Sequence, residues 1–198
     1  MSEALAVALA YLLGSIPFAF LAGRARGIDL RTIGSGNLGA ANVFRTLGRS
    51  WGIGVMAADI GKGVAAVLIA RAITDDPWPA VAAGAAMAGH VFPVWLRFKG
   101  GKGVAVGGGS VIGLMPLAAT ILLGLWLVVL LTTRFSSLAS IVSATVATPL
   151  AVLMDYPWSS VVFVALGSAA VLVLHRDNLR RLARREESRI QFGRARRV

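Results

Sequence analysis

Residues 35–45, SGNLGAANVFR, form a polar, glycine-rich segment between two apolar stretches. Its candidate ligands are the hydroxyl of Ser35, the amides of Asn37 and Asn42, and the guanidinium of Arg45. A guanidinium matches the oxygens of a phosphate in a fork of two hydrogen bonds. The segment therefore predicts a phosphate site, although a turn whose side chains cap its own helices would use the same residues.

A second glycine-rich segment, KGGKG at residues 99–103, precedes a further apolar stretch. Glycines let backbone amides approach a ligand closely, and helix N-termini attract anions. We predict that Lys102 and the amides of Gly100, Gly101 and Gly103 hold a phosphate at the start of a helix. The alternative is a flexible turn whose lysines meet lipid head groups.

Four other side chains could do chemistry within or beside apolar stretches. Asp59 and Lys62 lie one helical turn apart and would share a helix face. Charges at membrane depth line a polar cavity or pair with each other, and both readings stay open for this pair. His175 and Asn178 have the same spacing at the end of the last apolar stretch and are either site residues or caps.

His90 precedes Pro93 and the glycine-rich turn. It either orients that turn or satisfies buried backbone. The chain has no cysteine and only two histidines, so thiolate chemistry is excluded and a zinc site is not expected. We expect neither a metal nor a cofactor.

Composition defines the class of protein that must position these residues. The chain of 198 residues is 57% hydrophobic with a mean hydropathy of +0.75, and the apolar residues are spread along its length. We therefore predict an all-α integral membrane protein with one domain covering residues 1–198. The net charge of +11 then reflects basic residues that face anionic lipid, not a nucleic-acid partner.

The spans follow from the apolar stretches. Four are free of formal charge: 4–23, 77–96, 135–154 and 156–174. A fifth, 51–71, is apolar except for Asp59 and Lys62 and ends at Arg71. A further 31 residues, 103–133, are too long for one ordinary span. We predict that this stretch breaks near Met115–Pro116 into two short helices of about 20 Å each.

The break also decides the topology. Basic residues collect between the first two spans, after the third, and in the tail at about 176–198. The positive-inside rule assigns all three groups to the cytoplasm, which requires seven spans with an outside N-terminus and a cytoplasmic C-terminus. The three polar segments then meet at one face of the membrane and predict a cytoplasm-facing, glycine-rich active-site cleft.

Five motifs occur in an order and spacing that resemble a known family. They are YLLGSIPF at 11–18, IGSGNLGAANVFR at 33–45, DIGKG at 59–63, GHVFPVWLRFKGGKGVA at 89–105 and HRDNLRRL at 175–182. The chain resembles the bacterial acyl-phosphate-dependent glycerol-3-phosphate acyltransferases, the PlsY family, over essentially its full length. The resemblance implies a location in the bacterial cytoplasmic (inner) membrane.

The resemblance also implies a reaction. The family moves an acyl group from acyl phosphate to the 1-hydroxyl of glycerol 3-phosphate, the first step of phospholipid biosynthesis, and this implies functional coupling to the enzyme that makes acyl phosphate. Residues that match family active-site positions are Ser35, Arg45, Lys102, His175 and Asn178. Asn37, Asn42, Asp59, Lys62 and His90 fall in or beside family motifs, and substrate binding is the role expected for them.

Two other classes of protein remain as alternatives. A transporter for a phosphorylated solute would often contain an internal repeat, and the GNLGAAN segment does not recur in the second half of the chain. A membrane scaffold with an inactive pocket would not need Ser35, Arg45 and Lys102 together.

Overall fold

The computed structural model describes residues 1–191, and within that range every regular element is a helix. The predicted tail at 176–198 therefore lies partly outside the described residues. The helices are α1 (Ser2–Gly14), α2 (Phe18–Ala25), α3 (Ala40–Leu47), α4 (Arg49–Ile73), α5 (Trp78–Val91), α6 (Val104–Leu114), α7 (Pro116–Thr133), α8 (Ser136–Leu153), α9 (Trp158–Leu174) and α10 (Arg176–Ala183), with a 3₁₀ turn at Val94–Leu96.

Five elements in the described part of the chain are long and apolar enough to cross a bilayer. They are α1 with α2, α4, α5 with the 3₁₀ turn, α7 and α8. Helices α9 and α10 form a pair bent by 53°, which gives six spans if the pair counts as one. The all-α prediction is confirmed, whereas the count of seven also needs the shorter helix α6 and stays a prediction.

The predicted break at Met115–Pro116 is present. Met115 has φ −142° and ψ 68°, outside the helical region, and Pro116 begins α7. Proline fits the first position of a helix because its missing N–H would have no partner there. The two helices are unequal, however, because α6 has 11 residues and α7 has 18, or about 16 Å and 27 Å.

The first span is broken, although the sequence predicted one continuous stretch over residues 4–23. Helix α1 ends at Gly14 and α2 starts at Phe18, directly after Pro17. Proline lacks a backbone N–H and cannot continue the hydrogen-bonding pattern of α1. The interruption leaves the carbonyl of Ile16 free to accept a hydrogen bond from a side chain of α4.

Helices α4 and α6 make the most extensive contact in the fold, and their backbones touch. A Cβ atom at Gly63 would collide with the carbonyl of Val106, and one at Gly109 would collide with the carbonyl of Ile60. Small residues allow this close approach between membrane helices. The contact fixes the register of α6 against α4, and therefore the height at which α6 begins.

We expect Gly109→Ala to lower the unfolding temperature in detergent or lipid, because the added methyl group collides with backbone. Overpacking of this kind costs about 1–3 kcal/mol. Gly61→Ala is the matched control, since a Cβ at Gly61 in α4 meets nothing within 4 Å. Equal unfolding temperatures for the two variants would contradict the proposed close contact.

Candidate active site

The glycine turn, residues 99–103, is held against the end of α5. The amide of Gly100 donates to the carbonyl of Val91 (3.0 Å), and that of Gly101 donates to the carbonyl of His90 (3.1 Å). A side chain at Gly101 would collide with the His90 ring. These two amides therefore fix the turn, and their predicted role as phosphate donors stays a prediction.

Gly103 ends the turn in the left-handed conformation (φ 77°) and caps α6. The first amides of a helix have no partner within it, so the start of α6 keeps donors for an anion. The predicted helix start is therefore confirmed.

Lys102 projects from this turn toward the junction of α9 and α10. Its ammonium donates to Oδ1 of Asn178. The Asn178 amide donates in turn to Oε1 of Glu187 (2.7 Å), which also accepts from the hydroxyl of Ser137 (2.7 Å). Arg181 Nε donates to the other oxygen, Oε2, at 2.7 Å. A continuous chain of polar contacts thus joins the glycine turn, α8, α10 and the segment after α10.

Arg45 of α3 completes a cluster of charges with Lys102, Arg181 and Glu187. Burial lowers the pKa of Arg45, and its interactions with Glu187 and Arg181 act on it in opposite directions. Burial also lowers the pKa of Lys102, and the cations Arg181 and Arg45 lower it further, against Glu187 and Asp177. Cations that destabilise one another's charged forms favour an anionic ligand. Three cations around one buried carboxylate suit a dianion such as phosphate.

His175 lies beside this charge cluster and is buried, with 4% of its surface exposed. Its Nδ1 is 2.8 Å from the carbonyl oxygen of Val171. Because a carbonyl only accepts hydrogen bonds, Nδ1 must carry the hydrogen. The other nitrogen, Nε2, is then a proton acceptor when the ring is neutral.

Asn42 shapes the loop at 30–39 instead of facing solvent. It is buried, and its Nδ2 donates to the carbonyls of Leu30 and Ile33, both at 3.1 Å. Its Oδ1 accepts from the amide of Ser35 (3.0 Å). Asn42 therefore holds the loop, and its predicted role in binding substrate stays a prediction.

The two other polar residues of this loop remain accessible. Ser35 is exposed and Asn37 is half-buried. Ser35 is connected to the charge cluster through Asn42, which lies on the same helix as Arg45. Their predicted roles stay predictions.

Asp59, Lys62 and His90 form a closed network inside the helices. Lys62 Nζ lies 2.9 Å from Asp59 Oδ1, 2.9 Å from the carbonyl oxygen of Ile16 and 3.1 Å from His90 Nδ1. The Asp59 and Lys62 side chains are each 2% exposed. The ammonium is thus close to a carboxylate, a backbone carbonyl and an imidazole nitrogen. These contacts favour the internal pair over a polar cavity, and the substrate contacts predicted for Asp59, Lys62 and His90 stay predictions.

Comparisons with known proteins agree with the membrane architecture. The family described as Glycerol-3-phosphate acyltransferase matches residues 4–185. The chain belongs to this family. A relative of that name from Rubrobacter xylanophilus is 48% identical over 195 residues, which covers 98% of this chain and 96% of the relative. One from Geobacter sulfurreducens is 43% identical, covering 96% and 99%.

Solved structures of the family share the fold. The crystal structure of PlsY, an integral membrane glycerol 3-phosphate acyltransferase, in its glycerol 3-phosphate form has a TM-score of 0.92 and 38% identity. It covers 98% of this chain and 96% of that chain. The lysophosphatidic acid form has a TM-score of 0.89 and 37% identity, with the same coverage. This member of the acyltransferase family is therefore an integral membrane protein.

Sequence reasoning missed three members of the cluster: Arg181, Glu187 and Ser137. Arg181 could have been found, because it follows Asn178 by three residues and would share its helix face. Glu187 is one of two acidic residues in the strongly basic segment 180–198, which is an unusual position for a carboxylate. Ser137 has no comparable signal, because its contact with Glu187 joins residues 50 positions apart.

We expect the single variant Lys62→Met to be less stable than the double variant Asp59→Asn/Lys62→Met. Removing one partner leaves an uncompensated charge in the core, which costs about 3–5 kcal/mol. The double variant removes both charges. Thermal unfolding of the two single variants and the double variant completes a double-mutant cycle with the parent protein. Additive losses of stability would show that the two charges are not coupled.

We expect Glu187 to make stability depend on pH. Burial alone would raise the pKa of Glu187, but hydrogen bonds from Ser137, Asn178 and Arg181 outweigh it and the pKa is lowered from 4.5. A carboxylate of this kind stabilises the fold above its ordinary pKa, and the contribution is lost as pH falls through the lowered value. Glu187→Gln should therefore be less stable at neutral pH and should flatten the pH profile of the unfolding temperature below about pH 4.5.

Glu186→Gln serves as the control for this measurement, because Glu186 is the exposed neighbour in the chain. It should keep the stability and the pH profile of the parent protein. If both variants behaved alike, the pH dependence would have another source.

Proposed function

We propose that this protein transfers an acyl group from acyl phosphate to the 1-hydroxyl of glycerol 3-phosphate, as the first step of phospholipid biosynthesis. The products are lysophosphatidic acid and inorganic phosphate. The observation that carries the proposal is the cluster of Arg45, Lys102 and Arg181 around Glu187, at the start of a membrane helix. Both substrates contain a phosphate group, and an apolar acyl chain can remain in the bilayer.

The related structures support the choice of acceptor. PlsY has been crystallised in a glycerol 3-phosphate form and in a lysophosphatidic acid form. Acyl phosphate is a mixed anhydride, so its carbonyl carbon is already activated and needs no further cofactor. Because such an anhydride is reactive, we propose functional coupling to the enzyme that makes it.

In the proposed reaction the 1-hydroxyl oxygen attacks the carbonyl carbon of acyl phosphate. A new ester C–O bond forms, and the bond between the carbonyl carbon and the phosphate oxygen breaks. Cations at the site stabilise the negative charge of the departing phosphate, which is electrostatic catalysis. The hydroxyl proton passes to Nε2 of His175 or to a phosphate oxygen of a bound substrate, and it leaves with the inorganic phosphate.

Ser35 has a positioning role in this proposal and is not acylated. Its hydroxyl lies on a loop held by Asn42, and the described contacts of the loop give it no neighbouring base. Holding the acceptor hydroxyl beside the activated carbonyl makes a covalent intermediate unnecessary.

The proposed topology has seven spans in one domain, with an outside N-terminus and a cytoplasmic C-terminus, in the bacterial cytoplasmic membrane. Its support is the basic residues between the first two spans, after the third and in the tail, which the positive-inside rule assigns to one side. A reporter fused after Val198 should be active only in the cytoplasm. Activity only in the periplasm would exclude the seven-span count.

The test of the reaction uses purified protein in lipid vesicles with a synthetic acyl phosphate. We expect phosphate release that depends on glycerol 3-phosphate, with lysophosphatidic acid formed in equal amount. Incubation with acyl phosphate alone should leave the intact mass of the protein unchanged. Uptake of glycerol 3-phosphate into the vesicles without acylation would instead indicate a transporter, and an acyl adduct on Ser35 would indicate a covalent mechanism.

We expect Lys102→Ala to lower the rate of this reaction by roughly 10- to 100-fold. A charge-assisted hydrogen bond contributes about 1.5–3 kcal/mol, and the turn that carries Lys102 is held by backbone contacts that the substitution leaves in place. Lys99→Ala in vesicles of zwitterionic lipid is the control, because Lys99 is an exposed residue of the same turn. A parental rate for Lys102→Ala would remove Lys102 from the proposed site.

A further inference from the structure

Residues 92–99, which we name the aromatic loop, connect α5 to the glycine turn and expose four large apolar side chains. Phe92 is 54% exposed, Val94 40%, Trp95 62% and Phe98 59%. Residues 92–96 of the loop form the last part of the apolar span Trp78–Leu96. The mechanism proposed above uses none of these side chains.

The backbone of the aromatic loop is tightly hydrogen-bonded. The carbonyl of Pro93 accepts from the amides of Leu96 (3.1 Å) and Phe98 (3.0 Å). The carbonyl of Phe92 accepts from the hydroxyl of Tyr11 in α1 (2.8 Å). Pro93 is buried and Leu96 packs against the core. The exposed side chains are therefore presented outward from a fixed backbone.

Two consecutive residues of the aromatic loop adopt the left-handed conformation. Arg97 has φ 52° and Phe98 has φ 62°. This region disfavours residues with a Cβ atom, and glycine adopts it without that cost. An arginine and a phenylalanine thus stand where glycine would satisfy the backbone better. Such positions persist where the surrounding structure holds the backbone in place, and they are frequent at functional sites.

The arrangement of charge identifies the surface that these side chains contact. Arg97 and Lys99 flank Phe98, and both are exposed. Aromatic residues favour the boundary between hydrocarbon and water, and cations next to them are attracted to anionic head groups. Leu96 packs in the same cluster as Val55, in the second turn of α4, and the exposed Trp51 lies one turn earlier in that helix. The loop is thus level with the beginning of a span.

We infer that the aromatic loop is an interfacial anchor, which inserts Phe92, Trp95 and Phe98 into the bilayer while Arg97 and Lys99 bind anionic lipid head groups. The anchor fixes the height of the glycine turn relative to the membrane surface. It concerns lipid contact and does not depend on which substrates the site binds.

The absence of cysteine from the chain makes a direct test possible, because a single introduced cysteine can be spin-labelled. We would label Phe98→Cys in vesicles that contain anionic lipid and measure accessibility to oxygen and to a water-soluble nickel complex. Thr32→Cys, an exposed position of the loop after α2, is the control. The label at 98 should be accessible mainly to oxygen, and the label at 32 mainly to nickel.

A spin label at Trp95→Cys provides a second accessibility measurement, in a protein that still has Phe98. Unfolding temperatures of all labelled variants identify any that have lost the fold. If labels at both 95 and 98 were as accessible to nickel as the label at 32, the loop would face water, and the inference would be overturned in favour of a protein-binding surface.

The role of the cations is tested separately. In the labelled protein with Arg97 and Lys99 intact, adding anionic lipid to zwitterionic vesicles should move the label at 98 deeper into the bilayer. In the same protein carrying Arg97→Gln and Lys99→Gln, this response should disappear. An equal response in both proteins, or none in the parent, would overturn the binding of anionic head groups by these residues.

Discussion

The arrangement of the site depends on the contacts that the Lys62 ammonium makes. It joins the break in the first span, through the Ile16 carbonyl, to Asp59 in α4 and to His90 in α5. The carbonyl of His90 in turn accepts from the amide of Gly101, and the His90 ring lies against that glycine. A charge that would be costly in a membrane interior is thus paired with Asp59, and its contacts come from three segments of the chain.

Two kinds of residue have different roles in the proposed site. Backbone contacts of the glycine turn, and the side chain of Asn42, set the positions of loops. The charged side chains then meet across those loops, with Glu187 at their centre. One carboxylate accepts hydrogen bonds from three neighbours, Ser137, Asn178 and Arg181, and it does not neutralise all the cations, as the proposed anion site requires.

The sequence was most informative where a single residue or a local pattern determines the structure. Proline at 116 and the distribution of basic residues predicted the break before α7, and the glycines at 100–103 predicted the start of α6. The same property of proline could have predicted the break before Phe18. The stretch is apolar throughout, however, and it was therefore predicted to be continuous. Hydropathy measures whether a segment enters the membrane, and it does not report whether its helix is continuous.

Long-range pairing was the part that the sequence could not determine. Whether Asn42 contacts a ligand or its own loop depends on where the carbonyls of Leu30 and Ile33 point. Whether Asp59 and Lys62 line a cavity or pair internally depends on His90 and Ile16, which are distant in the chain. These outcomes are fixed by tertiary geometry, so residue type and spacing left both readings open.

The shortness of α6 has a consequence for how catalysis would be measured. The contact of Gly63 with Val106 places the start of α6 beside the middle of α4, about 20 Å along that helix from Arg49. Helix α6 therefore begins within the length of α4 and not level with its first residue. In the proposed reaction, a substrate with an acyl chain would reach the site by lateral diffusion within the lipid. Its effective concentration is its mole fraction in the membrane, so added inert lipid would dilute it even when the bulk volume is unchanged.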